Sequence, residues 1–124
     1  MDIARFDPDA KQRSEEIALD CMLVAQANDR AVGYIAWKPR GFVEFDYITY
    51  LFVDPAARRC GIASRLFDAA LAKLDRRRVF TSTQMDNEIM LALLPNSGWQ
   101  MAGTVEMANE DDSPEIFFFK ERVG

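Results

Sequence analysis

A strand that runs into a tight turn and then a helix constrains this chain most, over residues 42–74. Residues 42–53 are rich in aromatic and β-branched side chains, which predicts a strand. Asp54 and Pro55 end it, because proline has no N–H to give to the ladder. After a short turn that contains Gly61, apolar residues recur at helical spacing as far as Leu74. The central unit of the fold is therefore a strand, a turn and a helix in direct succession.

Such a turn can bind an anion. The N–H groups of the first helical turn lack internal partners and the helix dipole is positive there, so a phosphate or pyrophosphate fits against them. Gly61 lets the backbone come close to a ligand, and the short side chain of Ala63 leaves space beside it. Arg58 and Arg59 add positive charge. The segment thus predicts a phosphate-binding turn, with an ordinary ligand-free connection as the alternative.

The known phosphate motifs narrow this interpretation. The chain has no G-x-x-x-x-G-K-[ST] and no G-x-G-x-x-G, which excludes a Walker loop and a dinucleotide fingerprint. The segment instead resembles the acetyl-CoA-binding motif of the GNAT superfamily of N-acetyltransferases, Gln/Arg-x-x-Gly-x-Gly/Ala after a strand ending in Val-x-Pro. It reads Val53-Asp54-Pro55, followed by Arg58-x-x-Gly61-x-Ala63. The short pattern is weak alone and gains its weight from lying between the strand and the helix.

The resemblance implies a single α/β domain over residues 1–124, with a mixed, mostly antiparallel sheet flanked by helices. The predicted elements agree: a hairpin at 21–37, the central strand at 42–53, the motif helix, a strand at 79–83, a helix at 87–94, and a closing hairpin of strands at 99–107 and 115–120. Family members usually begin with a strand and two helices, whereas about twenty residues precede the hairpin here. We therefore expect a member without most of the N-terminal strand and first helix, and with one helix from Asp9 to about Leu19.

Composition excludes several classes of function. The chain has 124 residues, is 49% hydrophobic, and has no apolar run near the ~20 residues of a membrane span. Its net charge of −5 disfavours nucleic acid as a partner. It has no histidine and only two cysteines, which excludes histidine-based nucleophile schemes and makes a metal site unexpected. Without a signal peptide, we expect a cytoplasmic location.

The resemblance also implies which residues hold acetyl-CoA, the expected co-substrate. Backbone groups at the end of the central strand would hold the pantetheine arm and the thioester carbonyl. The N–H groups of the turn would hold the pyrophosphate, and an asparagine would contact the arm. By position these residues are Leu51, Phe52, Val53, Arg58, Arg59, Cys60, Gly61, Ile62, Ala63, Ser64 and Asn87.

The catalytic acid and base are open. Direct attack by an amine on the thioester requires that the amine lose a proton. Strand alternation predicts Glu44 and Asp46 on one face of the central strand, and Tyr47 matches a position where the family often has a base. The alternatives are that both carboxylates face solvent, or that the amine arrives neutral and needs no base. Leu94 replaces the tyrosine that many members use as an acid. Tyr47 or Tyr50 could take that role; the alternative is that their rings only fill the core.

The leading interpretation is an acyl-CoA-dependent N-acetyltransferase that acts on a primary amine, in a small molecule or a peptide. Residues 106–115 hold five acidic side chains and no basic one, and would either attract a cationic amine or form a solvated hairpin tip. The alternative is a GNAT-fold protein that binds CoA or a partner without useful catalysis. A third option is a homodimer in which a second chain replaces the missing first strand, by exchange or by pairing with the unprotected sheet edge.

Overall fold

The computed structural model of the protein describes residues 20–58, 61–74 and 77–121. These residues form one six-stranded sheet with two α-helices and a 3₁₀ turn at Pro55–Ala57. In chain order the strands are β1 (Met22–Ala27), β2 (Arg30–Phe42), β3 (Phe45–Val53), β4 (Arg78–Gln84), β5 (Gln100–Val105) and β6 (Glu115–Glu121). The helices are α1 (Ile62–Lys73) and α2 (Glu88–Asn96).

The sheet has the order β1-β2-β3-β4-β6-β5 and is antiparallel except between β3 and β4. This parallel pair is short and matches Asp46 with Val79, Tyr47 with Phe80, and Ile48 with Thr81. Beyond Ile48, β3 pairs only with β2, and beyond Thr81, β4 pairs only with β6. The two central strands therefore separate toward their carboxyl ends, and the expected mixed, mostly antiparallel α/β fold is confirmed.

A β-bulge in β3 changes which residues face the helices. Ala36 pairs with Tyr50 and Trp37 pairs with Ile48, which leaves Thr49 without a cross-strand partner in β2. As a result Ile48 and Leu51 both contact the core on the helix face, although strict alternation would put them on opposite faces. The bulge lies just where β3 leaves β4.

The core lies between the helix face of the sheet and the two helices. Leu66, Phe67 and Ala70 recur at helical spacing and bury one side of α1 against β1, β2 and β3. Leu94 of α2 and Phe118 of β6 belong to the same buried cluster. The opposite face of the sheet, which we call the second face, carries stacked rings of Tyr34, Tyr50 and Phe52 and a further group formed by Phe42, Tyr47, Phe80 and Phe117.

The central strand begins three residues later than predicted. β2 continues past Pro39 to Phe42, and Val43 and Glu44 form the turn into β3. Val43 has a left-handed φ of 58°, a conformation that its β-branched side chain disfavours, so strand propensity misses this turn. The ring of Phe42 compensates by packing against Phe80 at 4.5 Å between centroids.

Two other expectations concern the remainder of the chain. The helix predicted at 9–19 and the missing N-terminal strand fall on residues 1–19, which lie outside the described residues. Within the described ranges, no helix is long and apolar enough to cross a membrane.

Candidate active site

A cavity of about 750 Å³ opens where β3 leaves β4. Its walls come from the end of β3, the start of α1 and one side of α2. Every described residue of the predicted coenzyme set lines it: Leu51, Phe52, Val53, Arg58, Gly61, Ile62, Ala63, Ser64 and Asn87. Arg59 and Cys60 belong to the same predicted set and lie outside the described residues.

The start of α1 presents uncapped N–H groups to this cavity. Gly61 is the N-cap, with a left-handed φ of 75° that favours glycine, and no side chain caps the helix. The first helical hydrogen bond runs from Arg65 N to Gly61 O, and the first turn contains no acidic residue. The N–H groups of Ile62, Ala63 and Ser64 therefore lack a capping side chain at the positive end of the helix dipole.

The connection from β3 to α1 is held by hydrogen bonds. Asp54 accepts a hydrogen bond on its side chain from Ala56 N at 3.0 Å and donates its own N–H to Val32 O at 2.7 Å. Arg58 Nε donates to Val53 O at 3.2 Å, with the guanidinium 6.0 Å from the centre of the Phe52 ring. These contacts hold residues 54–58 against the ends of β2 and β3, at one wall of the cavity.

Helix α2 supplies an apolar wall that the sequence prediction did not include. Ile89, Met90 and Leu93 line the cavity, and Ile89 is 67% exposed. The sequence did contain a signal for this wall. The helix is apolar on nearly every side, so it has more apolar residues than one core-facing side needs. Asn87 caps this helix by accepting from Met90 N at 3.1 Å, which leaves its Nδ2 as a donor.

The two candidate carboxylates lie elsewhere. Glu44 is exposed in the β2–β3 turn, so the prediction that it shares a strand face with Asp46 is wrong. Asp46 is only 4% exposed and accepts a hydrogen bond from Arg40 N at 3.1 Å, which stabilises the irregular end of β2. At ~3.3 Å per strand residue, Asp46 is roughly 15 Å from Leu51. The structure therefore does not bring Glu44 or Asp46 to the cavity.

Tyr47 belongs to a hydrogen-bonded chain on the second face. Its hydroxyl contacts Ser82 Oγ at 2.5 Å, and Ser82 donates to Glu115 Oε2 at 2.6 Å. Asn109 Nδ2 donates to Glu115 Oε1 at 3.2 Å. Burial raises the pKa of Tyr47, the hydrogen bond with Ser82 lowers it, and the negative charge of Glu115 raises it further, so the net direction is upward. Sequence analysis missed Ser82 and Asn109, because only the pairing of β4 with β6 brings them to Tyr47.

Leu94, which replaces the family's usual acid, and Tyr50, the second candidate for that role, both lie away from the cavity lining. Leu94 has no exposed surface and lies in the core. Tyr50 packs against both Tyr34 and Phe52 on the second face, with ring centroids 5.8 and 6.2 Å away. Within the described ranges, no group of three or more metal-ligating side chains comes together.

Comparison with known proteins identifies the family. A model of the acetyltransferase (GNAT) family matches residues 3–99. A search of curated protein sequences finds no significant match. Among solved structures, a GNAT-family acetyltransferase from Bacillus cereus ATCC 10987 superposes with a TM-score of 0.85 at 23% identity, covering 99% of this chain and 85% of the other.

Two further structures are similar to this chain. A GNAT-family acetyltransferase from Elizabethkingia anophelis with acetyl-CoA bound has a TM-score of 0.80 at 15% identity, over 97% of this chain and 88% of the other. A ribosomal-protein-alanine N-acetyltransferase from Brucella melitensis has a TM-score of 0.73 at 22% identity, over 93% and 78%. At these identities the superpositions establish the fold alone. The family match over residues 3–99 shows that the chain belongs to the GNAT acetyltransferase family.

Proposed function

We propose that this protein transfers an acetyl group from acetyl-CoA to a primary amine by direct attack of the amine on the thioester. One observation carries the proposal: the uncapped start of α1 and the end of β3, where β3 no longer pairs with β4, open into the same cavity. Membership of the acetyltransferase family supports it, as does a similar structure that contains acetyl-CoA. The alternative is binding of CoA without turnover.

The cavity walls suit the parts of this co-substrate. The N–H groups of Ile62, Ala63 and Ser64 would bind the pyrophosphate, and the Arg58 guanidinium adds positive charge at the same end. The short side chain of Ala63 leaves room for the phosphates. The apolar α2 wall would pack against the pantetheine arm, with Asn87 Nδ2 as a hydrogen-bond donor.

The end of β3 would position the thioester. Alternate N–H and C=O groups of Leu51, Phe52 and Val53 point away from β2, and β4 does not pair with them. Such groups can hydrogen-bond the arm and support negative charge on the carbonyl oxygen during attack. A C–N bond forms as the C–S bond breaks. The α2 side chains in the cavity wall are Ile89, Met90 and Leu93, which cannot donate a proton, so the departing thiolate would take its proton from water.

We propose a cationic acceptor. The loop between β5 and β6 is acidic and mostly exposed, and the whole chain has a net charge of −5. Hydrogen bonds from the hydroxyl and N–H of Ser113 lower the pKa of Asp111, which keeps this carboxylate ionised at neutral pH. A negative loop beside the sheet would draw in a positively charged amine, an effect that salt weakens.

Turnover of an amine panel tests the proposal. Purified protein is mixed with acetyl-CoA and spermidine, an N-terminally blocked lysine peptide or a peptide with a free N-terminus, and released thiol is measured. We expect turnover of at least one amine, with a KM that rises several-fold as salt is raised. Binding of acetyl-CoA without turnover of any amine would favour the alternative.

A charge variant tests the cationic preference separately. The double substitution Glu110→Gln and Asp112→Asn should raise the KM of a cationic amine and leave kcat unchanged. Asp111 is kept, because its carboxylate holds the turn through Ser113. An unchanged KM in this variant, together with a wild-type turnover that does not change with salt concentration, would rule out electrostatic steering by the loop.

Two expectations stay predictions. The homodimer, in which a second chain replaces the missing first strand by exchange or by edge pairing, is tested by sedimentation at several protein concentrations. The cytoplasmic location is tested by fractionation of cells that express the tagged protein.

A further inference from the structure

The hydrogen-bonded chain on the second face has a defined direction. The Glu115 carboxylate can only accept hydrogen bonds, and Ser82 donates its single hydroxyl proton to it. Ser82 must therefore accept from Tyr47, whose own hydroxyl proton is then used. The lone pairs of the Tyr47 oxygen remain as acceptors for an incoming N–H. Asn109 Nδ2 donates to the other oxygen of Glu115.

This chain lies at the point where β3 and β4 separate. Ile48 and Thr81 form the last parallel pair; Tyr47 immediately precedes that pair, and Ser82 immediately follows it. Both side chains lie on the second face, whereas the cavity lined by α1 and α2 lies on the helix face. In the proposed reaction the thioester is held between the separated strands. An amine that approaches it from the second face, opposite the helices, would meet Tyr47.

The next step rests on the proposed function. We propose that Tyr47 takes the proton of the attacking amine while it passes its own proton through Ser82 to Glu115. The amine lone pair forms the C–N bond, and the N–H proton moves to the Tyr47 oxygen. The Tyr47 proton moves to Ser82, and the Ser82 proton moves to Glu115, which becomes a neutral acid. The C–S bond breaks, the thiolate takes a proton from water, and Glu115 returns its proton to solvent.

The electrostatics agree with a relay rather than with a tyrosinate base. Because the pKa of Tyr47 is raised, chiefly by burial, the phenol keeps its proton at neutral pH and can act only by exchanging one proton for another. The groups that face Glu115 within the described residues are Ser82, Asn109 and Tyr47, and only Tyr47 among them titrates. In this scheme Tyr47 is the catalytic residue, and Ser82 and Glu115 act through it.

Glu115→Gln is the sharpest variant, because glutamine keeps the size and can still accept from Ser82 but cannot take up a proton. With the best amine of the panel we expect kcat to fall on the order of 100-fold, within the range for acid–base groups, while the KM for acetyl-CoA stays the same. Tyr47→Phe and Ser82→Ala should give losses of similar size. Combining either substitution with Glu115→Gln should reduce kcat little further, because each variant interrupts the same series of hydrogen bonds.

The pH profile separates a relay from a structural role. The dependence of kcat on pH should differ between the wild type and Glu115→Gln, because only in the wild type does the relay end on a carboxylate. Glu121→Gln is the matched control on the same strand. Its carboxylate pairs with Arg77 and Arg78 near the surface and away from Tyr47, so the kinetics of this variant should be those of the wild type. Acetyl-CoA binding by each variant confirms that it is folded.

The outcomes distinguish the two proposals. No turnover by the wild type would overturn the proposed function and the relay with it. Turnover by the wild type together with a kcat within twofold in Glu115→Gln and in Ser82→Ala would overturn the relay and leave the proposed function standing. If Glu115→Gln does not fold, Ser82→Ala decides alone, with the same thresholds.

Discussion

Thr81 closes the short parallel ladder between the two central strands. Its Oγ1 donates to the carbonyl oxygen of Ile48 at 3.2 Å, and these two residues are the last matched pair before the strands separate. The hydroxyl thus supplies a hydrogen bond where the next ladder bond would be. Because the site is buried, loss of the donor would leave the Ile48 carbonyl less well satisfied.

We predict that Thr81→Val, which keeps the side-chain shape, lowers the free energy of unfolding by about 1–2 kcal/mol in urea titration. Thr49→Val is the matched control, because the buried Thr49 hydroxyl makes no hydrogen bond within the described chain. Its replacement should leave stability unchanged or raise it. Equal losses in the two variants would show that the Thr81 hydrogen bond does not hold the strands together.

Single residues also explain where prediction failed. Glu44 was predicted to lie in the central strand because the aromatic run around it favours β structure, yet Val43 adopts a left-handed conformation and turns the chain there. Asp46 is buried because it accepts a hydrogen bond from the backbone of Arg40, six residues earlier. Neither effect is encoded in alternation or propensity. The predicted shared strand face is therefore wrong, whereas the alternative that Glu44 faces solvent agrees with its exposed position.

At the scale of elements, the separation of α1 from the sheet depends on Gly33. This residue lies in β2 opposite Val53, and a Cβ there would be 2.9 Å from Phe52 O. The same Cβ would be 3.4 Å from side-chain atoms of Ile62 and Leu66 in α1. The glycine therefore allows strand and helix to approach closely, next to the cavity.

We predict that Gly33→Ala destabilises the protein by about 1–3 kcal/mol, because the close backbone oxygen cannot move without shifting β3. Acetyl-CoA affinity should fall as well, since β3 and α1 form the cavity. The matched control is Gly103→Ala in β5, where an added Cβ meets nothing within 4 Å. A stable Gly33→Ala protein with unaltered affinity would contradict this role for β2 in shaping the cavity.

The elements differ in how well the sequence predicts them. The central strand, turn and helix were predicted because Pro55, Gly61 and the apolar spacing of α1 are local signals. The hydrogen bonds that link Tyr47, Ser82 and Glu115 were not predicted, because these residues lie on three strands that are far apart in sequence. Local patterns define such strands, but only their pairing order brings the side chains together.

At the scale of the whole molecule, the two faces of the sheet carry different parts of the candidate site. The helix face carries the core, the start of α1 and the cavity, whereas the second face carries the aromatic rings and the chain that ends at Glu115. The resemblance to the GNAT family indicated the first of these arrangements from sequence. The sequence left the acceptor side open, because that side depends on long-range strand pairing.

The central claim is that the cavity at the start of α1 binds acetyl-CoA, and thermal or urea unfolding with and without this molecule tests it most directly. The variants are Ala63→Glu and its neutral match Ala63→Gln. Gly61 is left intact, since its left-handed φ of 75° would strain any replacement. A glutamate in the first turn favours the helix dipole, so Ala63→Glu should fold normally while repelling phosphates.

At about 100 times its dissociation constant, acetyl-CoA should stabilise the wild type by roughly 2.7 kcal/mol. We predict this stabilisation in the wild type, a smaller one in Ala63→Gln and none in Ala63→Glu. An absence of stabilisation in the wild type at high acetyl-CoA, or an equal effect in Ala63→Glu, would contradict the account.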